Sequence, residues 1–352
     1  MSKKQSLCWQ IGEVSVTCIT ELLLPVEYYE KYPFMREARP EALQEIPWLY
    51  PNFVSPEGEL LISIQALLVQ TKGFNLLVDT CVGNDKPRKI TANQALNTEF
   101  LHDLAATGCD RKAINYVVCT HLHVDHVGWN TMKVQDRWQP TFPNARYLLG
   151  RDEYDYWSKS ESEDQMPVME DSIAPIFEAG LVDLVETNHR ISDEIRLVPT
   201  AGHTPGHVSV VIESTGEIAL ITGDMMHHPC QIARPHWTVS FDEDQEVAAR
   251  CRANILKELA DTFWNLKYIG EWTEAVSEGL EFRAASAIVN FVRWRSERLE
   301  RLLRPASEVA FEILRKFIKY EIPEGDLERI CGEIYDYPVP LEPLGKDTFI
   351  AL

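Results

Sequence analysis

The sequence predicts a sheet-based α/β core followed by a helical C-terminal extension. Short apolar runs rich in Val, Ile and Thr, bounded by Gly, Pro and Asp, recur from Leu7 to Asp224. Stretches with helical spacing interleave with them. After about residue 283 the texture turns to helical segments punctuated by Pro305 and Pro323. Residues 1–283 therefore read as one domain and 284–352 as an extension.

In order along the chain, "LCWQIGEVSVTCITELLLP" (7–25) reads as strands around a glycine turn. Residues 26–58, with Tyr28, Tyr29, Trp48 and Phe53 among prolines, read as a long loop: surface packing and a lid over a pocket are both open. "LLISIQALLVQ" and "FNLLVDT" form two strands around "TKG". Leu96, Phe100, Leu101 and Leu104 predict a helix over 93–107. "AINYVVCT" (113–120) and "ARYLLG" (145–150) are short buried strands, the second followed by helical segments to about 180. "EIRLVPTAGHT", "HVSVVIES" and "EIALITGD" are three successive strands. Residues 242–262 form the clearest helix, with Asp242 and Gln245 as a capping pair and Val247, Cys251, Ile255 and Leu259 on one stripe. "LKYIGEW" (266–272) reads as the next strand, and 284–334 as helices.

Composition narrows the function. The 352-residue chain carries a formal net charge of −20, which repels phosphate backbones and anionic membranes, so neither nucleic acid nor membrane is expected as a partner. The N-terminal "MSKKQSLCWQIGEV" lacks the apolar run of a signal peptide, and no stretch is apolar enough for a membrane span. The eight cysteines are scattered without a CxxC pair, which fits a reduced, cytoplasmic protein. Cys119 and Cys230 lie near the polar motifs and read as small buried hydrophobes.

The chemistry concentrates in "CTHLHVDHVGWN" (119–130). Imidazole and carboxylate ligands suit zinc, iron or manganese. Side chains two apart on an extended segment point the same way, so His121 and His123 can share one ion. Asp125 and His126 lie where the chain must turn, and can serve a second. Further candidates follow at strand ends: His203 and His207 in "TAGHTPGH", and Asp224 in "LITGDMMHHP", whose carboxylate can bridge two ions. His207 reads mainly as a structural hydrogen-bonding group beside a turn. Of His227 and His228, one is expected in the loop packing and one toward solvent or pocket.

"THLHVDH", "GHTPGH" and "TGD", in this order, resemble the metallo-β-lactamase superfamily. "HVDHVGWN", "PTFPNARYL" and "GDMMHHPCQ" are similar to its branch of methyl parathion hydrolase and lactonase-like hydrolases. The resemblance spans about residues 7–283. It implies an αββα sandwich with a dinuclear metal site at the strand ends. It also implies that His121, His123 and His203 hold the first ion, that Asp125 and His126 hold the second, that Asp224 bridges, and that Asp79 steadies the ligand loop. One departure stands out. The family has a last histidine ligand on a strand after the helix that ends near residue 262, whereas the last histidine here is His236. Trp272 falls near the expected position, with Glu271 beside it, and indole cannot ligate. Either a carboxylate such as Glu271 substitutes, which would favour iron or manganese, or only the first site fills strongly, or water or His227/His228 completes the second.

The expected function is hydrolysis of a small ester, lactone or related bond by water activated on one or two zinc ions, with Asp125 and Asp224 handling the nucleophile and its proton. The rival is a catalytically weakened relative that binds a ligand or partner. The basic segment Arg293, Arg295, Arg298, Arg301 and Arg304 is expected to cover the mouth of the site or to build a homodimer contact.

Overall fold

Period-two burial along the strands explains the layering. The computed structural model describes residues 7–28, 31, 33–262 and 291–295. Its first sheet contains β1 (Cys8–Ile11), β2 (Val14–Val26), β3 (Leu60–Gln70), β4 (Asn75–Val78), β5 (Tyr116–Cys119), β8 (Arg146–Gly150) and β9 (Val182–Val185), in the order β1-β2-β3-β4-β5-β8-β9. A small hairpin, β6 (Thr131–Val134) and β7 (Arg137–Pro140), stands apart. The second sheet runs β10 (Ile195–Pro199), β11 (Val208–Ser214), β12 (Glu217–Ile221) and β13 (Phe291–Arg295), all antiparallel.

On β3, Leu67 and Val69 face the second sheet while Ile64, Ala66 and Leu68 face helices on the other side. On β11, Val208, Val210 and Ile212 face the first sheet, and Val211 faces outward. Helices Phe100–Ala106 and Arg151–Trp157 cover the outer face of the first sheet through Phe100, Leu104 and Trp157. The helix Gln245–Thr262 covers the second through Cys251, Ile255 and Leu256. The result is the expected αββα sandwich. β4, β5, β8 and β9 are parallel neighbours; β4 and β5 are buried on both faces after their first residue, which is why "LLV" and "VVC" are continuously apolar. Their carboxyl ends share one edge, where open α/β sheets place ligands.

Several expectations are corrected. The helix read over 93–107 is confined to Phe100–Ala106, because Asn84 binds Thr98 through both backbone and side chain and holds the preceding segment irregular. Asp242 does not cap the long helix; Asp244 accepts from the Val247 amide at 3.0 Å instead. Residues 291–295, read within a helical span, form an edge strand paired with β12. Their sequence "FVRWR" mixes aromatic and β-branched residues with arginine, a composition strands accept readily. Residues 26–58 pack a cluster of their own, with Met35, Leu43, Leu49 and Phe53 against Trp237 and Val239. The strand read at 266–272, Glu271, Trp272, Arg298, Arg301 and Arg304 lie outside the described residues. Among the described residues no helix is long and apolar enough to cross a membrane.

Candidate metal centre

Four strand ends supply the site. Asp79 follows β4, His121, His123, Asp125 and His126 follow β5, His203 follows β10, and Asp224 follows β12. His121 Nε2, His123 Nδ1 and His203 Nε2 converge, with separations of 3.0, 2.9 and 3.2 Å. Ligands about 2.0–2.1 Å from a tetrahedral zinc ion lie roughly 3.3 Å from one another, so the three nitrogens are spaced as one cation requires. Side-chain alternation has done what it predicts: His121 and His123 point the same way, and Leu122 between them is buried in the core.

The tautomers follow from the supporting shell. A carboxylate only accepts, so His203 Nδ1 donates to Asp242 Oδ1 at 2.8 Å and leaves Nε2 with its lone pair. His126 Nδ1 donates to Asp79 Oδ2 at 2.8 Å. His121 Nδ1 lies 3.1 Å from Thr120 Oγ1, which donates to Asp79 at 2.9 Å. Such supports orient metal-binding imidazoles and raise their basicity. Asp79 adopts φ +58 and also accepts from the Thr120 amide.

Asp224 stands between two donor groups. Its Oδ1 is 3.3 Å from His126 Nε2, and its Oδ2 is 3.6 Å from His203 Nε2 and 4.0 Å from His121 Nε2. One ligand atom each from His121, His126 and Asp224 falls within 4.8 Å, a second cradle beside the first. Asp125 Oδ2 lies 3.7 Å from His126 Nε2, at the edge of that cradle, and belongs to none of the three tight donor groups. The donor set therefore fits one divalent cation closely and a second beside it.

The electrostatics suit cation binding. Burial, then the neighbouring imidazoles, hold His121, His123 and His203 well below the usual histidine range, so they stay neutral and ready to ligate. Burial opposes charge on Asp224 and His126, but their mutual attraction prevails, leaving the carboxyl well below its usual range and the imidazole well above.

His207 does the structural work expected of it. Its Nδ1 meets Thr200 Oγ1 at 2.7 Å, and its Nε2 accepts from the Asp224 amide at 3.0 Å. Gly223 lets this happen: a Cβ there would sit 2.8 Å from His207 Nε2, and its φ is +53. His228 is likewise internal, donating from Nε2 to the Phe53 carbonyl and accepting the Cys230 amide at Nδ1. Cys119 and Cys230 are buried, and burial pushes both thiols up, so neither is poised as a nucleophile.

Glu153 was invisible in the sequence. Fully buried, its carboxylate accepts from the Leu122 amide (3.0 Å), the Gly206 amide (3.0 Å) and Trp157 Nε1 (2.7 Å). It thereby ties the "HLH" loop to the "GHTPGH" loop. Asp242 was read as a helix cap. Each is one acid among several in "RDEYDYW" and "SFDED", and no spacing distinguishes it.

Above the histidines opens a cavity of about 1160 Å³. Leu24, Val26, Phe34, Ile62, Ile64 and Phe241 supply its apolar wall. Of the aromatics read in 28–53, Tyr28, Trp48 and Phe53 do not line it; Trp48 and Phe53 turn inward on each other.

The comparison that decides the family is the match of the Metallo-beta-lactamase superfamily to residues 61–262. The chain belongs to that superfamily. It is 26% identical over 180 residues to an N-acyl homoserine lactonase of Bacillus sp., a match covering 46% of this chain and 64% of the relative. The chain thus spans less than two thirds of the length of that curated relative. Among solved structures, AidC, a dizinc quorum-quenching lactonase in complex with a product, aligns with a TM-score of 0.60 at 24% identity, over 73% of this chain and 87% of AidC. The hydrolase AbOPH of the beta lactamase superfamily aligns with a TM-score of 0.58 at 25% identity, over 73% of this chain and 86% of its own. The AidC likeness bears on the fold alone.

Proposed function

We propose that this protein is a metal-dependent hydrolase that opens a small lactone or ester with an apolar side chain. The observation that carries the reading is the triangle of imidazole nitrogens, 2.9–3.2 Å on a side, on the floor of a roomy cavity that has one apolar wall. Kinship with N-acyl homoserine lactonases supports the lactone class, and the three converging imidazoles support zinc as the ion. In this reading His121, His123 and His203 hold the first cation, Asp125 and His126 the second, and Asp224 lies between. A divalent cation there supplies Lewis acidity, polarising a carbonyl and making water a nucleophile near neutral pH.

The chain's own residues do the rest. Asp242, Thr120 and Asp79 meet the far ring nitrogens of His203, His121 and His126 and keep the ligating nitrogens aimed. Asp125 carries the proton to the leaving oxygen, because both oxygens of Asp224 face imidazoles. Leu24, Val26, Ile62 and Ile64 hold the substrate's hydrocarbon part, at about 0.8 kcal/mol per methylene buried.

The test is a zinc-loaded full-length chain assayed against lactones and esters of graded acyl length. Turnover that needs zinc, is lost in His121→Ala, and rises in kcat/KM by about three- to fourfold per added methylene until the cavity fills is the expected result. A folded chain that binds no zinc, or binds it without hydrolysing any lactone or ester, would overturn the reading.

A further inference from the structure

The dinuclear arrangement that the resemblance implies needs a nitrogen donor after the long helix, and no histidine follows His236. The described histidines can be taken in turn. His207 and His228 commit both ring nitrogens to hydrogen bonds within the fold. His102, His189 and His236 do not line the cavity.

His227 remains, and it is unusual. Its side chain is only 5% exposed, yet among the described residues neither ring nitrogen makes a well-aligned hydrogen bond. It lines the cavity. Its Nε2 approaches Asp224 Oδ2 at 3.3 Å, the same oxygen that His203 Nε2 approaches at 3.6 Å. One ligand atom each from His203, Asp224 and His227 falls within 4.8 Å, a third donor group sharing the central carboxylate.

The ring is held there by its surroundings. The His227 amide donates to Gln231 Oε1 at 2.7 Å. Phe241 and Phe34 pack against the imidazole edge-on, with ring centres 5.5 and 6.2 Å away. Buried polar groups are almost always satisfied. A buried imidazole whose Nδ1 has no partner among the described residues and whose Nε2 meets only a carboxylate that already faces three other imidazoles is arranged as a ligand is.

We propose that His227 is a further cation ligand, reaching the centre beside His203 on the Asp224 side. The proposal rests on the reading that the centre holds divalent cations. It places the added nitrogen on the His203 side of Asp224 rather than beside Asp125, so the two cradles share their donors unequally.

The experiment uses the full-length chain titrated with cobalt(II), read by visible absorption and metal analysis, together with X-ray absorption of the zinc form to count imidazoles. His227→Ala and the bulkier His227→Gln are compared with His228→Gln, which alters an internal hydrogen-bonding histidine. Loss of His227 is expected to change the cobalt spectrum, lower the imidazole count and weaken cation binding about tenfold or more, the loss already typical when a mere supporting residue is removed. His228→Gln should leave the spectrum unchanged. A spectrum and affinity equal to the unaltered chain, with the effect confined to KM for a lactone, would overturn the proposal and assign the ring to substrate instead. The absorption count on the unaltered chain decides the matter if the variants do not fold. Failure of the hydrolase reading is separately visible, as cobalt bound through His227 without turnover.

Discussion

Glu153 is the point at which stability and metal binding should fail together. Its carboxylate is fully buried and is shared by Leu122, which sits between His121 and His123, by Gly206, which precedes His207, and by Trp157 of its own helix. Hydrogen bonds to a charged acceptor contribute about 1.5–3 kcal/mol each, and a buried donor left unsatisfied costs about 1–3 kcal/mol. Glu153→Ala orphans three donors, so a loss of about 3–6 kcal/mol is expected, a large part of the stability of an ordinary domain. Glu153→Gln keeps the acceptor for Leu122 and Trp157 but turns an amide toward the Gly206 N–H, and should lose about 2–3 kcal/mol. Urea unfolding of the metal-free chain reads the first effect. Zinc affinity by chelator competition reads the second, because the two ligand loops lose their common tie; a weakening of about 10–100-fold is expected. If Glu153→Ala unfolded within about 0.5 kcal/mol of the unaltered chain, the scale of a neutral surface change, and bound zinc equally well, the clamp would be refuted.

Asp242→Ala should weaken zinc binding by about 10–100-fold by releasing His203, again by chelator competition; unchanged affinity would show that His203 needs no support. His228 is held neutral, its pKa lowered by burial from 6.5 to about 4, while the unfolded chain takes up a proton near 6.5. It therefore removes about 3 kcal/mol of stability as pH falls from 6.5 to 4, and His228→Gln should flatten the urea-unfolding profile by that amount across this window and nowhere above it. Gly223→Ala, with φ +53 and a new methyl 2.8 Å from His207 Nε2, should lower stability by about 2 kcal/mol and the melting temperature with it; a melting curve superimposable on the original would mean the turn adapts.

Much of the site could be read from the chain because its logic is local. "HLHVDH" leaves an apolar strand, and alternation alone puts His121 and His123 on one side and Leu122 on the other. "TGD" and "GHTPGH" sit at strand ends where glycine permits close approach. The helix cap was misread for an equally local reason: "SFDEDQ" offers three acids, and which one turns to the helix depends on where His203 lies. The strand at 291–295 was missed because five residues pair with β12 only across a long sequence separation, and their spacing does not distinguish them from an amphipathic helix.

The sequence by itself determined the alternation of apolar strands, hence the two sheets, and the run of histidines and carboxylates at their ends, hence a cation site; periodicity and ligand chemistry are properties of neighbouring residues. Only the tertiary structure decided which supports hold those ligands. Glu153, Asp242 and His227 gain their roles from groups roughly 30 to 50 and 40 residues away or across a shared carboxylate, and burial converts an ordinary acid or imidazole into a clamp, an aligner or a donor. No pattern along the chain encodes that, because desolvation and distance exist only once the strands have met.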